Sequence, residues 1–94
     1  MRVCVEFLGL SRLITKVKTR DFELKERATF QDLVHLLGST YPAMIGDVIQ
    51  SNGEALQAPN IFNLDGKRMI QHNQMQDSLD DGDRVVLMSM SAGG

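Results

Sequence analysis

Ninety-four residues make one domain with a modest core, since a chain of this length buries roughly 60 to 68% of the surface its unfolded form exposes. Ten basic against twelve acidic residues leave a net charge of −2, which gives little phosphate neutralisation and points away from nucleic acid toward protein partners. The one cysteine, Cys4, excludes an intramolecular disulfide, and no apolar run approaches the roughly 20 residues of a membrane-spanning helix. The chain opens on a strand pattern instead of a basic stretch followed by an apolar one, so a cytoplasmic protein without membrane association is expected.

Residues Arg2 to Leu8 alternate Val3, Val5 and Phe7 against Arg2, Cys4, Glu6 and Leu8, the period-two signature of a half-buried strand with odd positions inward. Gly9 opens a turn region. Lys16 to Leu24 alternate again as a hairpin partner, and the change of inward parity at Phe22 and Leu24 predicts a bulge. Lys16, Lys18 and Arg20 read as a solvated, charge-protected strand face.

Thr29 followed by Asp32 predicts a helix cap, after which Phe30, Leu33, Val34 and Leu37 fall at i, i+3, i+4 and i+7. Gly38 stands where a left-handed residue would end this helix. Pro42 suits the first turn of a short helix within Tyr41–Ile49, and the polar stretch Gln50 to Pro59, with Asn52-Gly53, reads as a surface loop. Ile61 to Leu64, Asp65-Gly66 and Arg68 to Ile70 form a hairpin signal, because Asp-Gly suits a turn whose two central residues need positive φ. Arg84 to Met90 complete the set as a last strand. The predicted fold is therefore α+β, a mixed sheet crossed by one main helix, with an early hairpin and a final strand beside the first: the β-grasp arrangement. It comprises a domain over residues 1–90 and a tail over 91–94.

Internal catalytic constellations are weak. Asp77, Asp81 and Gly82 invite comparison with a calcium loop, but Leu79 and Met88 stand where that loop needs oxygen ligands, and Asp80, Asp81 and Asp83 serve as turn formers. His35 and His72 have no Cys, Asp or Glu at ligand spacing, so no metal site and no Cys–His nucleophile is expected. Cys4 lacks a basic sequence neighbour that would lower its pKa, and reads as an unreactive thiol.

Two features remain. Leu8, Val86, Met88 and Met90 occupy even positions of two strands expected to be neighbours, which places them on the face away from the helix. That face is either a contact surface, for which Met is well suited, or one covered by a loop. The second feature is the end of the chain, Ala92-Gly93-Gly94, whose glycines make a thin, pliable tip able to carry a carboxylate into a narrow channel. A frayed terminus is the alternative.

The strand, the capped helix ending at Gly38, Tyr41-Pro42, the Asp65-Gly66 hairpin, Leu79-Asp80-Asp81-Gly82-Asp83 and Gly93-Gly94 together resemble the MoaD/ThiS family of ubiquitin-like sulfur carriers, most of all the small subunit of molybdopterin synthase. The resemblance implies that a ubiquitin-activating-type adenylating enzyme uses ATP to convert the Gly94 carboxylate to an acyl adenylate, which sulfur donation turns into a thiocarboxylate. It further implies that a molybdopterin-synthase large subunit or equivalent acceptor receives the tail, and that the chain itself is a cosubstrate binding no cofactor; the even-position face of Leu8, Val86, Met88 and Met90 is the expected partner contact from its strand pattern. A ubiquitin-like modifier joined through Gly94 to lysines, a carrier for thiamin or another metabolite, and a plain β-grasp interaction module are the alternatives.

Overall fold

Val3, Val5 and Phe7 are fully buried, as their alternation requires, and lie on strand β1 (Arg2–Phe7) of a computed structural model that describes residues 1–90. The chain continues through helix α1 (Leu10–Thr15), strand β2 (Thr19–Glu23), helix α2 (Phe30–Thr40), a 3₁₀ turn at Pro42–Met44, strands β3 (Asn60–Leu64) and β4 (Arg68–Met69), and strand β5 (Arg84–Ser89). The five strands form one mixed sheet in the order β2-β1-β5-β3-β4. β5 lies parallel to β1 and antiparallel to β3, and β1–β2 and β3–β4 are antiparallel hairpins.

Helix α2 begins as its sequence predicts. The Asp32 N–H donates to Thr29 Oγ1 at 3.1 Å and the Thr29 N–H donates to Asp32 Oδ2 at 2.9 Å, so two amide donors that the first turn leaves free are satisfied reciprocally. Its stripe of Phe30, Leu33, Val34 and Leu37 is fully buried with Val3, Val5, Phe7, Phe22, Phe62, Val85 and Leu87 from the sheet. Each such side chain contributes about 1.5–3 kcal/mol by leaving water, which is why the helix is fixed to this face.

Three local expectations are corrected. Gly38 does not end α2, which runs on to Thr40; a Cβ at Gly38 would lie 2.9 Å from Ile45 Cδ1, so the glycine serves close packing. The helix stops instead at Tyr41, because Pro42 restricts the residue before it and offers no N–H. The region after Gly9 is a helix, α1, closed by left-handed Lys16 with its N–H on the Arg12 carbonyl at 2.8 Å. Finally, β2 has no bulge: it starts only at Thr19, so Lys16 and Val17 precede the strand, and Phe22 pairs directly with Val3 on the buried face.

The Asp65-Gly66 turn has both residues at positive φ, 56° and 73°. At the acidic turn, the Asp80 N–H donates to Asp83 Oδ2 at 2.8 Å and Gly82 takes φ 86°. That turn is also bolted to the first strand: the Gly82 N–H reaches the Arg2 carbonyl at 2.8 Å, and the Arg2 N–H reaches Asp81 Oδ1 at 2.7 Å. Among the described residues, no helix is long and apolar enough to cross a membrane.

Candidate functional site

The central strand β5 delivers the end of the chain. Its last pair is Ser89 with Asn60, and beyond it the Met90 N–H donates to the Pro59 carbonyl at 2.8 Å. Met90 is thus a fixed point whose side chain is 48% exposed. Ala92, Gly93 and Gly94 lie outside the described residues.

The even positions of β5 share the face opposite α2 with their cross-strand partners. Val86 sits between Glu6 of β1 and Asn63 of β3, and Met88 lies opposite Ile61. Leu8 follows β1, with its N–H on the Leu87 carbonyl at 3.0 Å. Leu8, Val86 and Met88 are half-buried, so neighbours shield them in part while each keeps an accessible surface. The four residues selected from the sequence therefore lie along β5 from Val86 at its middle to Met90 just past its last residue, with Leu8 beside Leu87.

Sequence reasoning missed the β3 and β4 side of this face. Ile61, Asn63 and Met69 complete it, because Asn63 pairs with both Val86 and Met69. Asn63 is buried, its Nδ2 donates to Met69 Sδ at 3.3 Å, and its Oδ1 has no protein partner among the described residues. The signal was the parity of the strand: with Phe62 inward, Asn63 must turn to the other face.

Charge on this face adjoins Val86, where Arg84 at the start of β5 pairs with Glu6. Arg84 also faces Cys4 across the ladder, a basic neighbour that linear sequence does not reveal. Burial nevertheless pushes the Cys4 thiol up, and the nearby Asp21 carboxylate adds to the shift, outweighing the Arg84 charge. The thiol is therefore held protonated and poorly nucleophilic, in line with the expectation of an unreactive cysteine.

A cavity of about 200 Å³ opens beside β3, lined by Leu56, Ala58, Asn60, Ile61, Ile70 and His72 among others. Only His72 of its lining residues is ionisable, which gives no acid–base pair and no nucleophile with a base. His35, the other histidine, is exposed on α2 and meets Glu54 at 2.8 Å. The described residues thus offer a partly exposed apolar sheet face beside the last residues of β5.

No protein-family model and no curated protein matches the chain. Solved structures do. SAMP1 of Haloferax volcanii, a small archaeal modifier protein, superposes with a TM-score of 0.82 at 18% identity, covering 100% of both chains. The HVO 2177 protein of the same organism gives 0.79 at 27% identity, over 100% of this chain and 87% of that one. A putative molybdopterin converting factor, subunit 1, from Pyrococcus furiosus gives 0.71 at 20% identity, over 96% and 98%. The fold is the β-grasp of ubiquitin-like proteins, the architecture expected from the sequence.

Proposed function

We propose that this chain is a ubiquitin-like sulfur carrier whose Gly94 carboxylate is adenylated and then converted to a thiocarboxylate, with molybdopterin synthesis as the destination of the sulfur. The observation that carries the proposal is the sequence Ala92-Gly93-Gly94, separated only by Met90 and Ser91 from the central strand of a β-grasp sheet. Its premise is that Gly94 bears the free carboxylate.

The chemistry follows from that group. A terminal carboxylate, with an ordinary pKa of about 3.3–3.7, is ionised at neutral pH and is a poor electrophile. Attack of its oxygen on the α-phosphorus of ATP forms an acyl adenylate and releases pyrophosphate, which converts a poor leaving group into a good one. Sulfide-level sulfur, as hydrosulfide, then displaces AMP at the acyl carbon and loses its proton to leave the thiocarboxylate, whose sulfur becomes the atom the tail delivers. The ATP belongs to the adenylating partner, and a cytoplasmic setting supplies it. A large synthase subunit or an equivalent acceptor would take the tail, with Leu8, Val86, Met88 and Met90 forming the contact face beside it. The chain is on this reading a cosubstrate and performs no catalysis of its own.

A second reading is favoured by one comparison, the likeness to a small archaeal modifier protein. A modifier would use the same adenylate but pass Gly94 to a lysine amine, forming an amide in place of a thiocarboxylate. Intact mass separates the two. The purified chain should first show the mass of a protein ending at Gly94. Incubated with its adenylating enzyme, ATP and a sulfur source, it should gain the mass of an oxygen-to-sulfur replacement. Conjugates to lysine without that gain would favour the modifier, and neither product would overturn both readings.

A further inference from the structure

The segment between Gly9 and Arg20 holds Arg12, Lys16, Lys18 and Arg20 and no acidic residue, in a chain whose net charge is −2. In linear sequence the last three read as a solvated strand face. The structure places all four instead on a shoulder built by α1 and the start of β2, and none of them forms an ion pair among the described residues. The same shoulder carries three apolar side chains that the fold leaves open: Leu13 is 74% exposed, Leu10 42% and Val17 40%. Helix α1 turns Ser11 and Thr15 inward, the reverse of the usual arrangement, which is what leaves Leu10 and Leu13 in solvent.

Its position gives the shoulder a meaning. Ser11 Oγ donates to the Leu8 carbonyl at 3.0 Å and approaches the Leu87 carbonyl at 3.4 Å, which pins α1 onto the last part of β5. The Phe7 N–H bonds the Lys18 carbonyl at 2.8 Å, so the start of β2 lies at the same end. β5 runs parallel to β1 and leaves the sheet here. The acidic turn with Asp80, Asp81 and Asp83 is joined to the far end of β1 at Arg2. Cations with exposed apolar side chains therefore flank the exit of the chain end, while a carboxylate cluster lies at the other pole.

We propose that the α1–β2 shoulder is a docking surface for the adenylating enzyme, whose complementary surface presents acidic side chains around an aliphatic centre. The inference rests on the reading of Gly94 as the adenylated group, and it adds how that group is aimed. An acidic partner attracts the pole from which the tail leaves and repels the pole with the Asp-rich turn, so encounters begin tail-first. Leu10, Leu13 and Val17 then lose water against the partner and hold the complex.

The test compares the wild-type chain with the variant Arg12→Glu/Lys16→Glu/Lys18→Glu in adenylation by the enzyme at several salt concentrations. Arg20 is left unchanged because its guanidinium stacks over Phe22 and Tyr41 and donates to the Tyr41 hydroxyl at 3.1 Å. Lys25→Glu/Lys67→Glu/Arg68→Glu, with the same change in net charge elsewhere, is the control. The first variant should lose about tenfold or more in kcat/KM for the chain at low salt, with the gap closing as salt rises, while the control stays near wild type. Leu13→Ser should lower kcat/KM at every salt concentration. Equal rates for wild type and the shoulder variant, or an equal loss in the control, would overturn the proposal. So would shoulder-dependent binding to phosphatidylserine–phosphatidylcholine vesicles with adenylation unchanged, which would assign the surface to a membrane. If the wild-type chain is not adenylated at all, the Gly94 reading falls, and titration of the chain against the enzyme decides the docking claim alone: weaker binding of the shoulder variant sustains it, equal binding ends it.

Discussion

Gly38 owes its place to a neighbour's side chain more than to its own backbone. It lies inside α2, where alanine is intrinsically better by about 0.8–1.0 kcal/mol; the Cβ of an alanine would crowd the tip of Ile45 at 2.9 Å and meet Ile49 Cδ1 at an ordinary 3.6 Å. Ile45 is 37% exposed, so that tip has room to move. Gly38→Ala should therefore raise stability by less than about 1 kcal/mol in denaturant unfolding, because displacing Ile45 offsets part of the helix gain. A clear loss would show that Ile45 cannot yield and that close packing outweighs the helix gain. Close packing and a left-handed helix end look alike in sequence, since a glycine at the end of an apolar stripe serves either, and the deciding contact comes from Ile45, outside the helix. Asp32 is the contrasting case, legible because its partner is three residues away. The Thr29 N–H holds its carboxyl below the usual carboxylate range. A depressed folded pKa means the stabilisation is present above the unfolded value of about 3.9 and is lost as pH falls through the folded value. The stability gap between wild type and Asp32→Asn should accordingly be steady near neutral pH and narrow on acidification below about pH 4, read from unfolding curves along a pH series. A gap that ignored pH would deny the carboxylate its capping role.

At the scale of elements, legibility followed how well each segment's apolar pattern matched its burial. Helix α2 and strands β1 and β5 alternate or recur with the period of their structure, so sequence alone placed Phe30, Leu33, Val34, Leu37, Val3, Val5, Phe7, Val85 and Leu87 inward. Helix α1 was hidden because it is one and a half turns long, starts from Gly9 without a side-chain cap, and buries Ser11 and Thr15 while exposing Leu13. With α1 unseen, Lys16 and Val17 were read into β2, and a bulge was needed to reconcile their parity with Phe22. The face opposite α2 was read on β1 and β5 but missed on β3, where the parity against Phe62 turns Asn63 to it and the pairing of Asn63 with Val86 places it beside β5. That face supports a prediction of its own. Met88, half-buried opposite Ile61, can accept a charge at its exposed edge while the chain still folds, yet a carboxylate there would be stripped of water in a contact. Met88→Asp should weaken binding to the adenylating enzyme or to the acceptor by about 2 kcal/mol or more, with far-ultraviolet circular dichroism unchanged. Normal binding to both would place the contact elsewhere.

For the whole molecule, the β-grasp architecture separates what folds the chain from what the chain offers. The core joins α2 to the buried side of the sheet, whereas the proposed chemistry belongs to Gly94, four residues beyond Met90 in the sequence. The anchoring of Met90 to Pro59 at 2.8 Å gives a partner a fixed origin from which to measure the tail. A reach set by a few residues is sensitive to length: one added residue shifts the terminal carboxylate by about 3.3–3.6 Å when extended, far beyond the tolerance of a reaction needing atoms roughly 3–3.5 Å apart. Adding one alanine after Gly94, or deleting Gly94, should therefore abolish adenylation and thiocarboxylate formation. Both variants should unfold at the wild-type temperature, since the last few residues of a domain generally add little stability. Intact-mass spectrometry with ATP and a sulfur source checks the first claim, and a thermal melt the second. Full activity in either variant would show that the reactive group lies elsewhere than the Gly94 carboxylate, and carrier and modifier readings would fall together, because both begin from the same adenylate.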